Sequence, residues 1–350
     1  MESIENNIEK GKRTGLMKAI QQHAFGGPAV LNYEDAPIPE VKEGEVLVKV
    51  HAIGMNPPDW YLRDGYKSLP PEWQPEGSFP IILGTDISGV VEKVADDVED
   101  FSFGDEVYGM VRFPEGVFGE SRVYAEYVSV PATQIAIKPK GIDHIHAAAA
   151  PMSLLTAWQF MIDLGHNVQN PLQPHKHEPI QLEGKTVLVN GAGGGVGHFV
   201  VQIAKWKGAK VIAVASSKQE EFLRELGAEE FIDYTKTNAH EVVIDIDLVI
   251  DAVGGPTTGR FLRTLKPGGA LFPIFPLGFD AADEAKKLGV VVSATQVRSN
   301  GAQLAQIASL LNDGTIRVAI DSVFALEDAR KAHERAERGH IQGKIALKVI

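Results

Sequence analysis

The chain has 350 residues, a net charge of −12 and no cysteine, so it is long enough for about two domains and excludes disulfides, thiolate zinc sites and thiol nucleophiles. The acidic charge argues against nucleic acid as a partner. No apolar run reaches the roughly 18 residues that span a bilayer, so we expect no membrane span and a cytoplasmic location.

Short β-type runs separated by glycine and proline fill the first part of the chain. Residues 1–16 precede them, are polar and lack periodicity, so we interpret them as a flexible extension. Pro57, Pro58 and the proline-rich segment 69–80 are predicted to be loops, because proline lacks a backbone donor. The predicted strands of this compact, mostly β domain are 46–50, 87–94, 106–108 and 124–130.

A helical stretch and a long polar segment come next. Residues 146–164 are rich in Ala and Leu and predict a helix that kinks or breaks at Pro151. The segment 165–183 contains three prolines and three histidines, which indicates a surface loop of unusual length. His175 and His177 have a spacing that could bind a metal, but no cysteine accompanies them. We therefore favour a solvated loop and predict no metal site.

A strand, a glycine-rich turn, a helix and a second strand follow in close succession. The turn has the spacing of the dinucleotide fingerprint, with Ala in place of the first Gly. In such a turn the middle glycine admits a pyrophosphate, the last glycine lets helix and strand pack closely, and the helix N-terminus supplies free N–H groups. A tight turn without a ligand is the alternative. The predicted cofactor-binding residues of this turn are Ala192, Gly194, Gly195, Val196 and Gly197.

The end of the second strand indicates which nicotinamide cofactor is bound. NAD-binding folds place a carboxylate here, whereas this chain has Ser216, Ser217 and Lys218. Two hydroxyls and an ammonium can hydrogen-bond to a 2′-phosphate and neutralise part of its charge, so NADP(H) is favoured. Alternatively, the two serines cap the helix that follows.

The alternation of short apolar runs with helices or loops predicts a doubly wound, α/β parallel sheet. An amphipathic helix at 326–338 and a strand at 344–349 close the chain, and we expect that strand to return to the first domain. The predicted domains are 17–150 with 315–350 and, between them, a nucleotide-binding domain at 151–314. The six predicted strands of the nucleotide domain are 186–189, 211–214, 231–232, 248–250, 269–274 and 290–293.

Several segments together resemble one family, the zinc-free, quinone-oxidoreductase-like branch of the medium-chain dehydrogenases/reductases. The resemblance implies a GroES-like, mostly β catalytic domain with an inserted Rossmann domain, an active site in the cleft between them, and a homodimer. The segments that carry it are Asn56-Pro57-Pro58-Asp59, Leu83-Gly84-Thr85-Asp86-Ile87-Ser88-Gly89-Val90-Val91, Gly104-Asp105-Glu106-Val107-Tyr108-Gly109, Leu155-Thr156-Ala157-Trp158, the glycine turn, Leu226-Gly227-Ala228 with Ile232-Asp233-Tyr234, and His340-Ile341-Gln342-Gly343-Lys344.

The residue types at two positions imply chemistry without a metal. In the zinc alcohol dehydrogenases of this superfamily, a Cys and a His bind the catalytic zinc. At the positions that the resemblance matches to these two ligands, this chain has Asn56 and Thr85. Without a metal to polarise a carbonyl, an acceptor that is already electrophilic is favoured. The resemblance thus implies NADPH-dependent hydride transfer to a small-molecule electrophilic acceptor, a quinone or an activated C=C bond (enone or alkenal). The alternatives are an enoyl-thioester reductase and a non-catalytic NADPH-binding protein.

The resemblance also assigns cofactor contacts outside the turn. Asn56 and Thr156 are expected near the nicotinamide and its ribose, although Asn56 could instead be a turn residue and Thr156 could bond back within its helix. Tyr234 is expected beside the 2′-phosphate, unless it is an ordinary aromatic residue at a strand end. Further cofactor contacts are expected after strand ends, where loop geometry alone could also explain the residue types. These further residues are Val253, Gly254, Phe275 and Leu277.

Two tyrosines are the candidate catalytic residues. Tyr61 matches a tyrosine that lines the quinone-reductase pocket, and Tyr66 lies one residue from the place of the proton-donating tyrosine in relatives that reduce enoyl thioesters. A phenol could protonate the product or hydrogen-bond its developing negative charge, or simply pack as an aromatic side chain. Asp86 and Asp105 are expected to make structural hydrogen bonds instead of forming an acid–base pair.

Overall fold

The structure, a computed structural model, describes residues 15–67, 71, 74–75, 78–115, 120, 122–168, 176–275, 278 and 280–350. Most of the predicted extension, together with His175 and the predicted cofactor residue Leu277, lies outside the described residues.

Strands and helices are numbered below in chain order. The strands are β1 (Leu16–Gln22), β2 (Leu31–Pro37), β3 (Glu45–Gly54), β4 (Ile81–Ile82), β5 (Asp86–Val94), β6 (Glu106–Met110), β7 (Tyr127–Pro131), β8 (Ile135–Ile137), β9 (Thr186–Asn190), β10 (Lys210–Ala215), β11 (Glu230–Asp233), β12 (Ile246–Asp251), β13 (Leu265–Pro273), β14 (Val291–Val292), β15 (Ile320–Ala325) and β16 (Lys344–Lys348). The α-helices are α1 (Pro57–Arg63), α2 (His144–Ala149), α3 (Pro151–Met161), α4 (Gly197–Trp206), α5 (Glu220–Glu225), α6 (Ala239–Val242), α7 (Ala282–Leu288), α8 (Gly301–Asn312) and α9 (Ala329–Glu337).

The nucleotide domain contains a six-stranded parallel sheet in the order β11-β10-β9-β12-β13-β14. Each apolar run predicted as a strand in this region forms one of them. In β9, β10, β12 and β13 the Val, Ile and Leu side chains are buried on both faces of the sheet, because helices cover it on either side. The strand order reverses between β9 and β12, and in such folds ligands bind at the crevice beside that reversal. The prediction of a doubly wound sheet is confirmed.

Helix α4 packs against β9 more closely than a side chain would allow. A Cβ atom at Gly197 would lie 2.2 Å from the carbonyl oxygen of Gly191 and 2.8 Å from the Cα of Ala192. These are backbone atoms, so they cannot move aside as a flexible side chain would. The last glycine of the fingerprint is therefore required by packing, as the fingerprint predicts.

The first domain is built on a seven-stranded sheet, ordered β15-β16-β3-β5-β6-β8, with β7 paired to β3 as well. A smaller sheet has the order β2-β1-β4. Strand β16 pairs antiparallel with β3, so the last strand returns to the first domain as expected. The mostly β domain with an inserted Rossmann sheet is confirmed, whereas the exact domain boundaries stay a prediction.

Two helical segments differ in how well the sequence indicated them. Pro57 and Pro58 are not in a loop, since they begin α1. The first turn of a helix needs no backbone donor, so proline is accepted there, and the loop prediction was wrong. The predicted break at Pro151 is present, because α2 ends at Ala149 and α3 begins at Pro151.

No helix among the described residues is long and apolar enough to cross a membrane.

His177 corrects the prediction of a solvated loop. Its side chain is buried and packs against the rings of Phe160 and Phe272. Since a carbonyl oxygen only accepts, Nε2 donates to the Phe160 carbonyl at 2.9 Å, and Nδ1 lies 3.0 Å from the Ser293 hydroxyl. Burial lowers the pKa of His177, so this imidazole is a neutral structural group.

Replacing Gly197 with Ala is expected to destabilise the protein, although a Gly→Ala substitution within a helix usually stabilises it. Helix propensity alone would favour Ala, but the new Cβ would collide with the Gly191 carbonyl, so we expect a loss of about 2–3 kcal/mol in the free energy of unfolding. Urea denaturation followed by circular dichroism measures this loss. The control is Gly27→Ala, where nothing lies within 4 Å of the new Cβ, and we expect a change within about 0.5 kcal/mol. Equal stabilities of the two variants would contradict the packing argument.

Candidate active site

A cavity of ≈ 760 Å³ lies between the crevice of the parallel sheet and the first domain. Its walls come from the glycine turn, from α1 and α3, and from the ends of strands of both large sheets. It brings together most of the predicted site residues, which are far apart in the sequence. The predicted residues that line it are Asn56, Tyr61, Tyr66, Thr156, Gly194, Gly195, Val196, Gly197, Val253 and Phe275.

The glycine turn offers backbone donors to an anion. Within the part of the chain that the structure describes, the amides of Gly195 and Val196 have no hydrogen-bond acceptor. They precede the first turn of α4, where the helix dipole also favours negative charge. A Cβ at Gly194 would meet only the Gly191 carbonyl oxygen, at 3.5 Å, so a ligand can approach the backbone closely. These features fit the pyrophosphate of a dinucleotide.

The predicted 2′-phosphate residues lie together at the ends of β10 and β11, outside the lining of the cavity. Ser216, Ser217 and Lys218 follow β10, and the Tyr234 amide donates to the Ala215 carbonyl at 3.1 Å, which holds the two strand ends together. Neither serine caps the next helix with its side chain, so the capping alternative is not formed.

Two other predicted cofactor residues do not line the cavity. Ala192 is buried behind the turn, where its amide donates to the Val214 carbonyl at 3.1 Å. Gly254 has a φ of +70°, and a Cβ there would lie 2.5 Å from the Phe275 carbonyl oxygen, so this position needs glycine. Both residues shape the backbone that faces the cavity.

The floor of the cavity is polar. Asn56 is fully buried, its Oδ1 accepts a hydrogen bond from Lys344 Nζ, and its Nδ2 donates to the Gly54 carbonyl at 3.3 Å. Thr156 Oγ1 donates to the Met152 carbonyl at 2.7 Å, so the back-bond considered for this residue is formed. Its hydroxyl oxygen can still accept a hydrogen bond from a ligand in the cavity.

Lys344 is a site residue that sequence reasoning missed. It begins β16, is 3% exposed and lines the cavity. Its ammonium donates to three neutral oxygens: the Met55 carbonyl at 2.9 Å, Asn56 Oδ1, and Ser153 Oγ at 3.1 Å. The sequence signalled it in two ways, as the last residue of the family segment His340-Ile341-Gln342-Gly343-Lys344 and as a lysine at the start of a mostly apolar closing strand.

Two buried carboxyls lie behind this floor. Asp86 accepts from the Met152 amide at 2.9 Å and Asp59 from the Asn56 amide at 2.9 Å, so both make structural hydrogen bonds. Burial raises the pKa of Asp59 to about 7, although the Asn56 amide opposes this shift. Burial also raises the pKa of Asp86 to about 6, with Lys344 as the main opposing charge. Asp105 likewise accepts from the Ser102 amide, at 2.8 Å.

Asp59 is tied to α9 by a chain of buried polar groups. The Tyr124 hydroxyl donates to Asp59 Oδ2 at 3.0 Å and lies 3.4 Å from Nε2 of His333. Arg63 donates to His333 Nδ1 at 3.1 Å and pairs with Glu337 at 2.6 Å. Burial and the Arg63 charge lower the pKa of His333 to about 3, so this imidazole stays neutral within the chain.

The rest of the cavity wall is aromatic and apolar. The ring of Tyr61 lies 6.0 Å from that of Tyr66 and 6.2 Å from that of Phe275, measured between centroids. Trp60 and Phe113 extend the same wall. Burial raises the pKa of both tyrosines, so their phenols stay protonated and can donate hydrogen bonds at neutral pH.

Asn56 and Thr85 do not form a metal site. The Asn56 amide oxygen is bonded to Lys344, and Thr85 Oγ1 donates to Asp86 Oδ1 at 3.4 Å. Among the described residues, no three His, Asp or Glu side chains are grouped so that they could hold a metal ion. The donor set at this place is an amide, a hydroxyl and an ammonium, which does not suit zinc.

Two family models match the chain, one in each half. Residues 42–140 match the alcohol dehydrogenase GroES-like domain, and residues 226–347 match a family described as zinc-binding dehydrogenase. The chain is 34% identical over 387 residues to the human mitochondrial NAD(P)H oxidoreductase RTN4IP1, covering 99% of this chain and 93% of the relative.

Two further proteins are similar over nearly the whole chain. An NADPH-dependent alkenal/one oxidoreductase of Arabidopsis thaliana chloroplasts is 32% identical over 345 residues, which cover 95% of this chain and 79% of the relative. The structure of a quinone oxidoreductase from Coxiella burnetii superposes with a TM-score of 0.82 at 33% identity, covering 96% of this chain and all of that chain. With the fold, the site and these similarities in agreement, the chain belongs to the zinc-free, quinone-oxidoreductase-like branch of the medium-chain dehydrogenase/reductase superfamily.

Proposed function

We propose that the protein is an NADPH-dependent, metal-independent oxidoreductase that reduces quinones or activated C=C bonds of enones and alkenals. One observation carries this proposal: a single cavity joins the free amides of the glycine turn to an aromatic wall. A dinucleotide on the turn and a flat apolar acceptor against the wall would then meet in the same space. Bound NADPH supplies the hydride.

The cofactor-binding residues are proposed in three groups. The glycine turn, with Ala192 behind it, holds the pyrophosphate, and Ser216, Ser217, Lys218 and Tyr234 surround the 2′-phosphate. Asn56 and Thr156 lie at the nicotinamide end, and Val253 and Phe275 form the opposite wall, with Gly254 shaping the backbone behind it. Leu277, outside the described residues, stays a predicted cofactor residue. The alkenal/one oxidoreductase of Arabidopsis thaliana supports NADPH as the cofactor, since that relative is described as NADPH-dependent.

The chain's own residues have simple tasks in this reaction. The aromatic wall excludes water and aligns a planar acceptor, and Tyr61 and Tyr66 donate hydrogen bonds to its oxygen atoms. Tyr66 has a φ of +52°, which is strained for a residue with a side chain, and its amide donates to the Tyr61 carbonyl at 2.6 Å. This conformation directs the Tyr66 side chain toward the part of the cavity that Tyr61 also lines.

Oligomeric state and location stay predictions. A homodimer is supported by β14, one of the two edge strands of the parallel sheet, whose Val291 is about half exposed. A cytoplasmic location was expected from the sequence, whereas the RTN4IP1 relatives are named as mitochondrial. Fractionation of cells that express the native gene would decide between the two.

The activity is tested by following NADPH oxidation with a panel of quinones, enones, alkenals and enoyl thioesters, each with and without a chelator. We expect turnover with a quinone or an enone and no effect of the chelator, because the described residues include no group of side chains that could hold a metal ion. Preference for an enoyl thioester would select the alternative reductase. NADPH binding without turnover on any acceptor would favour a non-catalytic protein, and loss of activity in chelator would contradict the metal-free mechanism.

The 2′-phosphate residues are tested by Ser216→Asp and Lys218→Ala. We expect NADPH binding to weaken about 100-fold for Ser216→Asp and about tenfold for Lys218→Ala, because one adds a repulsive charge and the other removes an attractive one. NADH binding should change less than about threefold, since NADH lacks the phosphate. Nicotinamide fluorescence measures both affinities. Lys287→Ala, at an exposed lysine on α7, is the control, and equal losses for the two cofactors would refute the assignment.

The tyrosines are tested by Tyr61→Phe and Tyr66→Phe. Each change removes one hydrogen bond and keeps the ring, so we expect KM for the acceptor to rise about fivefold with a smaller change in kcat. Steady-state kinetics at saturating NADPH separates the two constants. A kcat reduced by several powers of ten would instead identify that tyrosine as the proton donor.

A further inference from the structure

Reduction of a quinone or an enone requires a proton as well as a hydride. When hydride adds to the electrophilic carbon of an enone, an electron pair moves to the carbonyl oxygen, which then needs a proton. The two tyrosines of the cavity are poor acids, because burial raises their pKa. A hydroxyl that is reprotonated directly by an ammonium offers this proton a route that ends at a stronger acid.

Ser153 and Lys344 form a polar pair on the cavity floor. Ser153 is on α3, 4% exposed, and its Oγ accepts a hydrogen bond from Lys344 Nζ at 3.1 Å. Among the described residues, the Ser153 hydroxyl donates no hydrogen bond of its own. Both side chains line the cavity, so the free proton of Ser153 is available to a ligand there.

The pair is close to the place where the cofactor would lie. A Cβ at Gly195 would be 3.2 Å from Ser153 Oγ and 3.3 Å from Lys344 Cδ, which puts both side chains directly against the glycine turn. Asn56, on the other side of Lys344, accepts a second ammonium proton. The pair thus lies at the junction of the turn and the nicotinamide end of the cavity.

Lys344 is an unusual buried cation. Its three protons go to neutral oxygens, and the carboxylates of Asp86 and Asp59 act on it only as neighbouring charges. Burying an ammonium in this way is costly, and such departures from ordinary packing occur where function requires them. Desolvation lowers the pKa of Lys344, which makes the ammonium a better acid than an exposed lysine.

We propose that Ser153 is the catalytic residue that donates the proton to the acceptor oxygen and that Lys344 reprotonates it, an inference that rests on the proposed reductase activity. The acceptor oxygen takes the hydroxyl proton of Ser153 while Ser153 Oγ takes a proton from Lys344 Nζ. For an enone, the enol formed in this way then tautomerises to the saturated ketone. Lys344 becomes a neutral amine and regains its proton from solvent when the product leaves, so one proton is consumed per hydride.

The first test compares Ser153→Ala with Ser153→Thr. We expect Ser153→Ala to lower kcat by about 10²–10³-fold while the Kd for NADPH changes less than about twofold, and Ser153→Thr, which keeps a hydroxyl, to recover most of the rate. Ser88→Ala, a buried serine outside the cavity, is the control. An unchanged kcat in Ser153→Ala would overturn the proposal. So would a Kd for NADPH that rises as much as kcat falls, since the pair would then serve cofactor binding.

The second test concerns Lys344 and uses the pH profile. A proton donor must be protonated, so the wild-type rate should fall as pH rises through the lowered pKa of Lys344, and Ser153→Ala should lose this dependence. Charged or titratable groups around Lys344 are Asp86 on β5, Asp59 on α1 and His198 on α4, and the last is neutral because burial lowers its pKa to about 4. Lys344→Met should lower kcat, whereas Lys138→Met, at another buried lysine, should not. A profile shared by wild type and Ser153→Ala would overturn the relay.

The third test needs no turnover. Para-nitrophenol mimics the reduced acceptor, and its anion is recognised by its visible absorption. In the wild-type complex with NADP⁺ we expect the probe to ionise roughly one pH unit below its value in water, because the Ser153 proton and the Lys344 charge stabilise the anion. Ser153→Ala should reduce this shift, because it removes one of the two stabilising groups. If no acceptor supports turnover but the shift is present, the proposed reductase activity is wrong, whereas the Ser153–Lys344 pair as an anion-stabilising group is retained. If turnover occurs but no shift is seen, the proposed role of the pair is wrong and the reductase activity stands.

Discussion

The hydrogen bonds of three consecutive residues, Gly343, Lys344 and Ile345, hold the two halves of the site together. The Gly343 amide donates to the Gly193 carbonyl in the glycine turn at 2.8 Å, and the Ile345 carbonyl accepts from the Met55 amide at 3.0 Å. Gly343 has a φ of +76°, and a Cβ there would lie 2.3 Å from the Ala319 carbonyl oxygen, so only glycine fits. This short segment of the last strand therefore sets the distance between the turn and the cavity floor.

The same segment explains how the floor functions without a metal. In a metal-containing relative a cation would polarise the acceptor, whereas here a buried ammonium occupies the junction and is bonded to Asn56 and Ser153. Asp86 and Asp59 balance its charge, and burial keeps their own pKa values near neutrality. In the proposed mechanism the floor offers a positive charge and a hydroxyl proton to the acceptor, and such groups stabilise the negative charge that develops there.

The fold was largely predictable, and the residues that were misjudged have two different causes. The six short runs of the parallel sheet, the break at Pro151 and the returning last strand follow from local patterns. Pro57 and Pro58 were misjudged because proline is excluded from helix interiors but not from the first turn. His177 was assigned to a solvated loop because its neighbours in sequence are polar, whereas its burial comes from Phe160, Ser293 and Phe272, which are distant in the chain.

The sequence alone determined the family, the strand–turn–helix unit that binds a dinucleotide, and the absence of thiol chemistry, because each depends on residue types at short spacing. Only the tertiary structure decided which groups share one cavity. Ser153 and Lys344 are separated by 191 positions, and nothing in either local segment indicates that they meet. The serine in α3 and the lysine in β16 come into hydrogen-bond contact only because β16 pairs with β3 and brings the ammonium under α3. Burial and proximity are properties of the fold and not of the local sequence.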